Sequence, residues 1–140
     1  MLPKKVSAYF NLEIGLSGGL VMGIIVFLIN YAATQDTINS TIAAIKQGVY
    51  TFFFGGAIMR MCEVIAVKIR NRYWGVILSM LIPSLVSLLL TFGVHSLRGT
   101  PRPFESTVPT AFFVIPATLV WGYRKRYKHD AAKAKKIPVS

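Results

Sequence analysis

Apolar residues fill this chain in four long, nearly continuous stretches, at residues 14–33, 42–67, 74–94 and 107–123. A bilayer's hydrocarbon core is about 30 Å thick, so a helix crossing it needs roughly 20 apolar residues. The first and third stretches meet that length, and the second exceeds it although three charges interrupt it. The fourth is short, and Trp121 and Tyr123 extend it as aromatic anchors at the interface. The pattern predicts an all-α integral membrane bundle of four transmembrane helices. Residues 1–128 form a single transmembrane domain, and 129–140 form a mobile basic tail. The first stretch is longer than the apolar region of about 7–15 residues in a cleaved signal peptide, so it reads as a true span. Tyr9 and Phe10 precede it at headgroup depth.

Within the spans the small residues and prolines carry the detail. Gly15, Gly19 and Gly23 are four apart and share one face of the first helix, where a second backbone can approach closely. That face serves either another helix of the same chain or a neighbouring subunit. Ser40 or Thr41 is the expected cap of the second helix. Pro83 and Pro116 lie inside the third and fourth helices and are expected to bend them, with Ser79 and Ser84 available for freed backbone groups. Pro109 falls in the first turn of the fourth, where proline is tolerated. Cys62 lies in the second stretch and reads as a small buried hydrophobe.

Composition fits this picture, with 54% hydrophobic and 15% charged residues. The net charge of +11 raises nucleic acid as a partner, and its distribution turns the reading toward lipid. Twelve of the sixteen basic residues fall in three groups: Lys4 and Lys5; Lys68, Arg70 and Arg72; and Arg124, Lys125, Arg126, Lys128, Lys133, Lys135 and Lys136. Four spans put all three groups on one side. Basic residues collect on the cytoplasmic side, so both termini are expected there, in a membrane of the bacterial inner-membrane type. The expected partners are anionic lipids at that face, and either further copies of the chain in a homo-oligomer or the other subunits of a membrane complex. Nucleic acid ranks low, because Tyr127 alone offers a stacking ring within the tail.

Two places hold the candidate chemistry. Arg60 and Glu63 share a face of the second span and form a polar intramembrane pair, either structural or part of a proton-linked pathway. Lys46, near the opposite end, reaches outward to the interface. The linker after the third span carries His95, Arg98, Thr100, Arg102, Ser106 and Thr107 beside a helix N-terminus. Together these are the parts of an anion or lipid-headgroup site. In the structural alternative Arg102 pairs with Glu105 and Thr107 caps the helix. No catalytic signature, metal-ligand set or cofactor motif is present, and no motif points to a family.

Three functions follow from these readings. The first is an oligomeric transport or channel-type protein with the Arg60–Glu63 face as its polar station. The second is an accessory or scaffold subunit of a membrane complex. The third is an anionic headgroup binder or membrane enzyme built on the 95–110 loop.

Overall fold

The computed structural model describes residues 9–99 and 101–135, with the side chain of Ser106 excepted. Four helices account for nearly all of it: α1 (Leu12–Thr34), α2 (Thr37–Lys68), α3 (Arg72–Leu97) and α4 (Pro103–Ala134). Each is long and apolar enough to cross a membrane. No strand occurs among the described residues. At 1.5 Å per residue, α2 and α4 each run about 48 Å, well beyond a 30 Å hydrocarbon core. Thr100 and residues 1–8 and 136–140 lie outside the described residues, and with them Lys4, Lys5 and the end of the expected tail.

The helix ends show why the chain turns where it does. Gln35 takes a left-handed conformation (φ 55°) and donates its N–H to the Tyr31 carbonyl, which ends α1. Asp36 then caps α2. One carboxylate oxygen accepts from the Asn39 N–H at 3.0 Å and the other from the Asn39 amide at 2.6 Å. The Asn39 backbone bond, and after it the side-chain bond, hold the Asp36 pKa below the ordinary carboxylate value. The second helix therefore starts earlier than expected, with Asp36 as its cap. Ser40 and Thr41 fall inside its first turns. Thr41 bonds back to the Thr37 carbonyl at 2.7 Å, and the Ser40 hydroxyl is buried with no hydrogen-bond partner. Asn11 and Asn71 cap α1 and α3 by accepting from Ile14 and Trp74, each at 3.1 Å.

The fourth helix also begins early. Pro103 stands at its start, so Pro109 lies in the interior and Thr107 is no cap. The Thr107 hydroxyl instead donates to the Pro103 carbonyl one turn back, at 2.8 Å. At its other end α4 continues to Ala134, so residues 129–134 are helical. Pro83 sits buried inside α3. The two serines beside it bond elsewhere: Ser79 to the Val76 carbonyl and Ser84 to Thr118.

The chain divides into two compact units, Met1–Arg60 and Met61–Ser140. In the first, the glycine face of α1 meets α2. A Cβ at Gly15 would lie 2.8 Å from the Phe52 carbonyl oxygen, one at Gly19 2.7 Å from that of Gly48, and one at Gly23 3.3 Å from that of Ala44. The Asn11 N–H donates to the Gly56 carbonyl at 3.0 Å, and the Phe10 ring covers Gly56 and packs on Phe52 with centroids 5.1 Å apart. Phe10 is thus part of the helix contact, while Tyr9 is exposed.

In the second unit, the last two turns of α2 join α3 and α4. Buried positions across the described chain are mostly small or polar; the buried hydrophobic residues are Ile58, Met59, Cys62 and Ala66. Large apolar side chains such as Leu20, Phe53, Leu85 and Phe112 are exposed. A water-soluble fold buries such residues, whereas helices in lipid turn them outward and meet at small ones.

The two classes of glycine predict opposite responses to alanine. Gly19→Ala must displace the Gly48 backbone and is expected to destabilise the protein, overpacking of this kind costing about 1–3 kcal/mol. Gly93→Ala meets nothing within 4 Å and is expected to be neutral, or to stabilise by up to about 1 kcal/mol through helix propensity. Thermal unfolding of both variants in detergent checks the signs.

Candidate functional site

The densest polar structure lies in the second unit, where Glu63 of α2 meets α4. Trp121 and Lys125 are one turn apart on α4 and so present the same face. Both address one carboxylate oxygen: the Lys125 ammonium lies 2.7 Å from Glu63 Oε1, and the Trp121 indole N–H donates to it at 3.0 Å. The Lys125 ammonium also sits 4.7 Å from the Trp121 ring centroid, within cation–π range. The Glu63 side chain is 9% exposed and that of Lys125 34%. The acid is therefore enclosed, and the base reaches it from the more open side. Arg60 lies one turn before Glu63 on α2 and is partly buried.

Below this pair runs a seam of small polar groups. Cys62 Sγ donates to the Thr118 carbonyl at 3.2 Å. The Thr118 and Ser84 hydroxyls are 2.9 Å apart, and Thr118 lies 2.9 Å from the Val114 carbonyl of its own helix. Gly122 leaves the space that Ser79 occupies, since a Cβ there would collide with the serine hydroxyl.

The next residue on α4, Arg126, closes the end of α2. Its guanidinium donates to the carbonyls of Ala66 at 3.1 Å, Arg70 at 2.9 Å, and Ile69. Its Nε contacts both carboxylate oxygens of Asp130 at 3.0 Å. The final carbonyls of a helix have no intrahelical partner and carry the negative end of its dipole. A buried arginine with several donors answers both needs. Gly75 makes room for it: a Cβ there would lie 2.9 Å from Arg126 Nη1 and 3.0 Å from the Ala66 oxygen. Lys125 and Arg126, expected among the headgroup-facing cations of the tail, thus turn into the protein.

The described candidate residues of the 95–110 loop lie at the end of α3 and the start of α4. Arg102 forms an exposed ion pair with Glu105 at 3.1 Å, the structural alternative for that residue. The Thr107 hydroxyl donates to the Pro103 carbonyl of its own helix. His95 stands in the last turn of α3, and Arg98 follows as its C-cap. Thr100 and the side chain of Ser106 lie outside the described residues. No cluster of three or more potential metal-ligating side chains forms among the described residues.

Two shallow, apolar cavities lie among the described residues. One, of about 430 Å³, lies along Gly19, Gly23, Ala44 and Gly48. The other, of about 190 Å³, is lined by Met80, Ser84, Leu88 and Ile115 among others. Comparison of the chain with protein-family models, curated proteins and solved structures finds no match.

Sequence reading singled out Glu63 but missed Lys125, Trp121, Arg126 and Thr118. One signal was present: an acid within a span calls for a cation or donor from another helix, and Trp121 with Lys125 offers both at a spacing of four.

The Glu63–Lys125 contact predicts measurable coupling. In a double-mutant cycle of Glu63→Gln and Lys125→Met, followed by unfolding in detergent, the interaction energy is expected at about 1–2 kcal/mol, near the upper end for polar contacts within membranes.

Proposed function

We propose that this chain is a multi-pass membrane protein of the accessory or scaffold kind, with both termini cytoplasmic in a membrane of the bacterial inner-membrane type. One observation carries the reading. Polar side chains where α2, α3 and α4 meet engage the chain's own helices, as when Lys125 and Trp121 converge on Glu63. The neighbouring hydroxyls and thiol do the same along the Cys62–Thr118–Ser84 seam. Such a unit offers rigid helices to an assembly, with large apolar side chains outward for lipid or for other transmembrane helices.

A transport role has one specific observation in its favour, the 34% exposure of the Lys125 side chain. It leaves a route by which the Glu63 charge can be altered from outside. The two roles separate in purified protein reconstituted into liposomes. The accessory role predicts no ion or proton flux that depends on Glu63, with Glu63→Gln inserting normally. Flux that the wild-type chain supports, and that a folded Glu63→Gln chain loses, would establish transport instead.

A further inference from the structure

We propose that the end of the second unit where Arg126 joins α2 to α4 is a binding site for the phosphate headgroups of anionic phospholipids. Five cations form it: Lys68, Arg70 and Arg72 at the α2–α3 turn, and Arg124 and Lys128 on α4. Arg126 brings them together. By bonding the carbonyls of Ala66, Ile69 and Arg70, it holds the turn against the stretch of α4 that carries the other two. All five cationic residues are exposed.

The acids of these two stretches are already engaged by other bases. Glu63 meets Lys125 and Asp130 meets Arg126. The five exposed cations therefore keep their charge for an outside partner, and three of them are arginines, which can grip a phosphate through two parallel hydrogen bonds.

Neighbouring aromatic residues indicate which polyanion this is. Tyr73, Trp74 and Tyr127 are 79%, 58% and 58% exposed, beside apolar helix faces on α3 and α4. Tyrosine and tryptophan gather where a helix leaves the hydrocarbon for the headgroups. Cations at that level meet lipid phosphate directly, each strengthening attachment to an anionic surface about fivefold. The site rests on the membrane reading and goes beyond it, because it assigns a lipid class to particular side chains.

The test is native mass spectrometry of the full chain from nanodiscs of equal phosphatidylglycerol and phosphatidylcholine. The protein is expected to retain phosphatidylglycerol preferentially, and less of it as salt rises. The variant Arg70→Gln/Arg72→Gln/Lys128→Gln is expected to lose that preference by about tenfold or more. Its insertion and thermal unfolding should stay unchanged, since the Arg70 carbonyl that Arg126 uses remains. Equal retention of the two lipids by the wild-type chain would overturn the proposal. So would an undiminished preference in the triple variant, or an RNA oligonucleotide that displaces phosphatidylglycerol from the wild-type chain. A chain that stays soluble without detergent or lipid would overturn the membrane reading itself.

Discussion

Helices in hydrocarbon gain nothing by hiding leucine from leucine, because lipid tails are as apolar as the side chains. They associate only where backbones approach closely or where internal hydrogen bonds form, and both requirements favour small residues at the contact. The first unit meets this with glycine, whose α1 backbone lies against the carbonyls of Ala44, Gly48 and Phe52. In the second unit cysteine, serine and threonine take that place, adding hydrogen bonds to close approach. Both leave their bulky apolar side chains outside.

Charge is handled by the same logic at one end of the second unit. An isolated carboxylate in a span is costly, and Glu63 is stabilised by a cation and an indole donor from one face of α4. Arg126 goes further, since its fork of donors reaches three carbonyls and a carboxylate at once, which a lysine ammonium cannot match in geometry. These two contacts tie α2 to α4 where the helices leave their apolar stretches. Lys125 and Arg126 therefore serve the fold, while Arg124 and Lys128 on either side remain exposed.

The helices and the glycine face were legible in the sequence because both are local patterns, read from apolar length and a spacing of four. What lay outside a local window was not. The partner of the glycine face is a stretch of α2 whose two glycines in register, Gly48 and Gly56, are separated by Phe52 and give no unbroken repeat. Glu63 has its nearest acid–base neighbour in Arg60, and nothing local points to Lys125, which is 62 residues away. The 95–110 loop read as rich because its polar residues are close in sequence. Once α4 starts at Pro103, the i, i+3 spacing pairs Arg102 with Glu105, and Thr107 bonds its own helix. Helix starts were misplaced for one reason: Asp36 and Pro103 are polar or helix-breaking in composition but ordinary at a helix N-terminus.

The close approach of α3 and α4 at small polar residues is tested most directly by cross-linking in native membranes. With Cys62→Ser as background, the pair Ser84→Cys and Thr118→Cys replaces two hydroxyls that stand 2.9 Å apart. It is expected to form a disulfide within one chain rapidly under mild oxidant. The adjacent outward pair, Leu85→Cys and Leu119→Cys, is expected to stay reduced. Failure of the first pair to link, or equally fast linking of the second, would mean that the two helices do not meet along this seam.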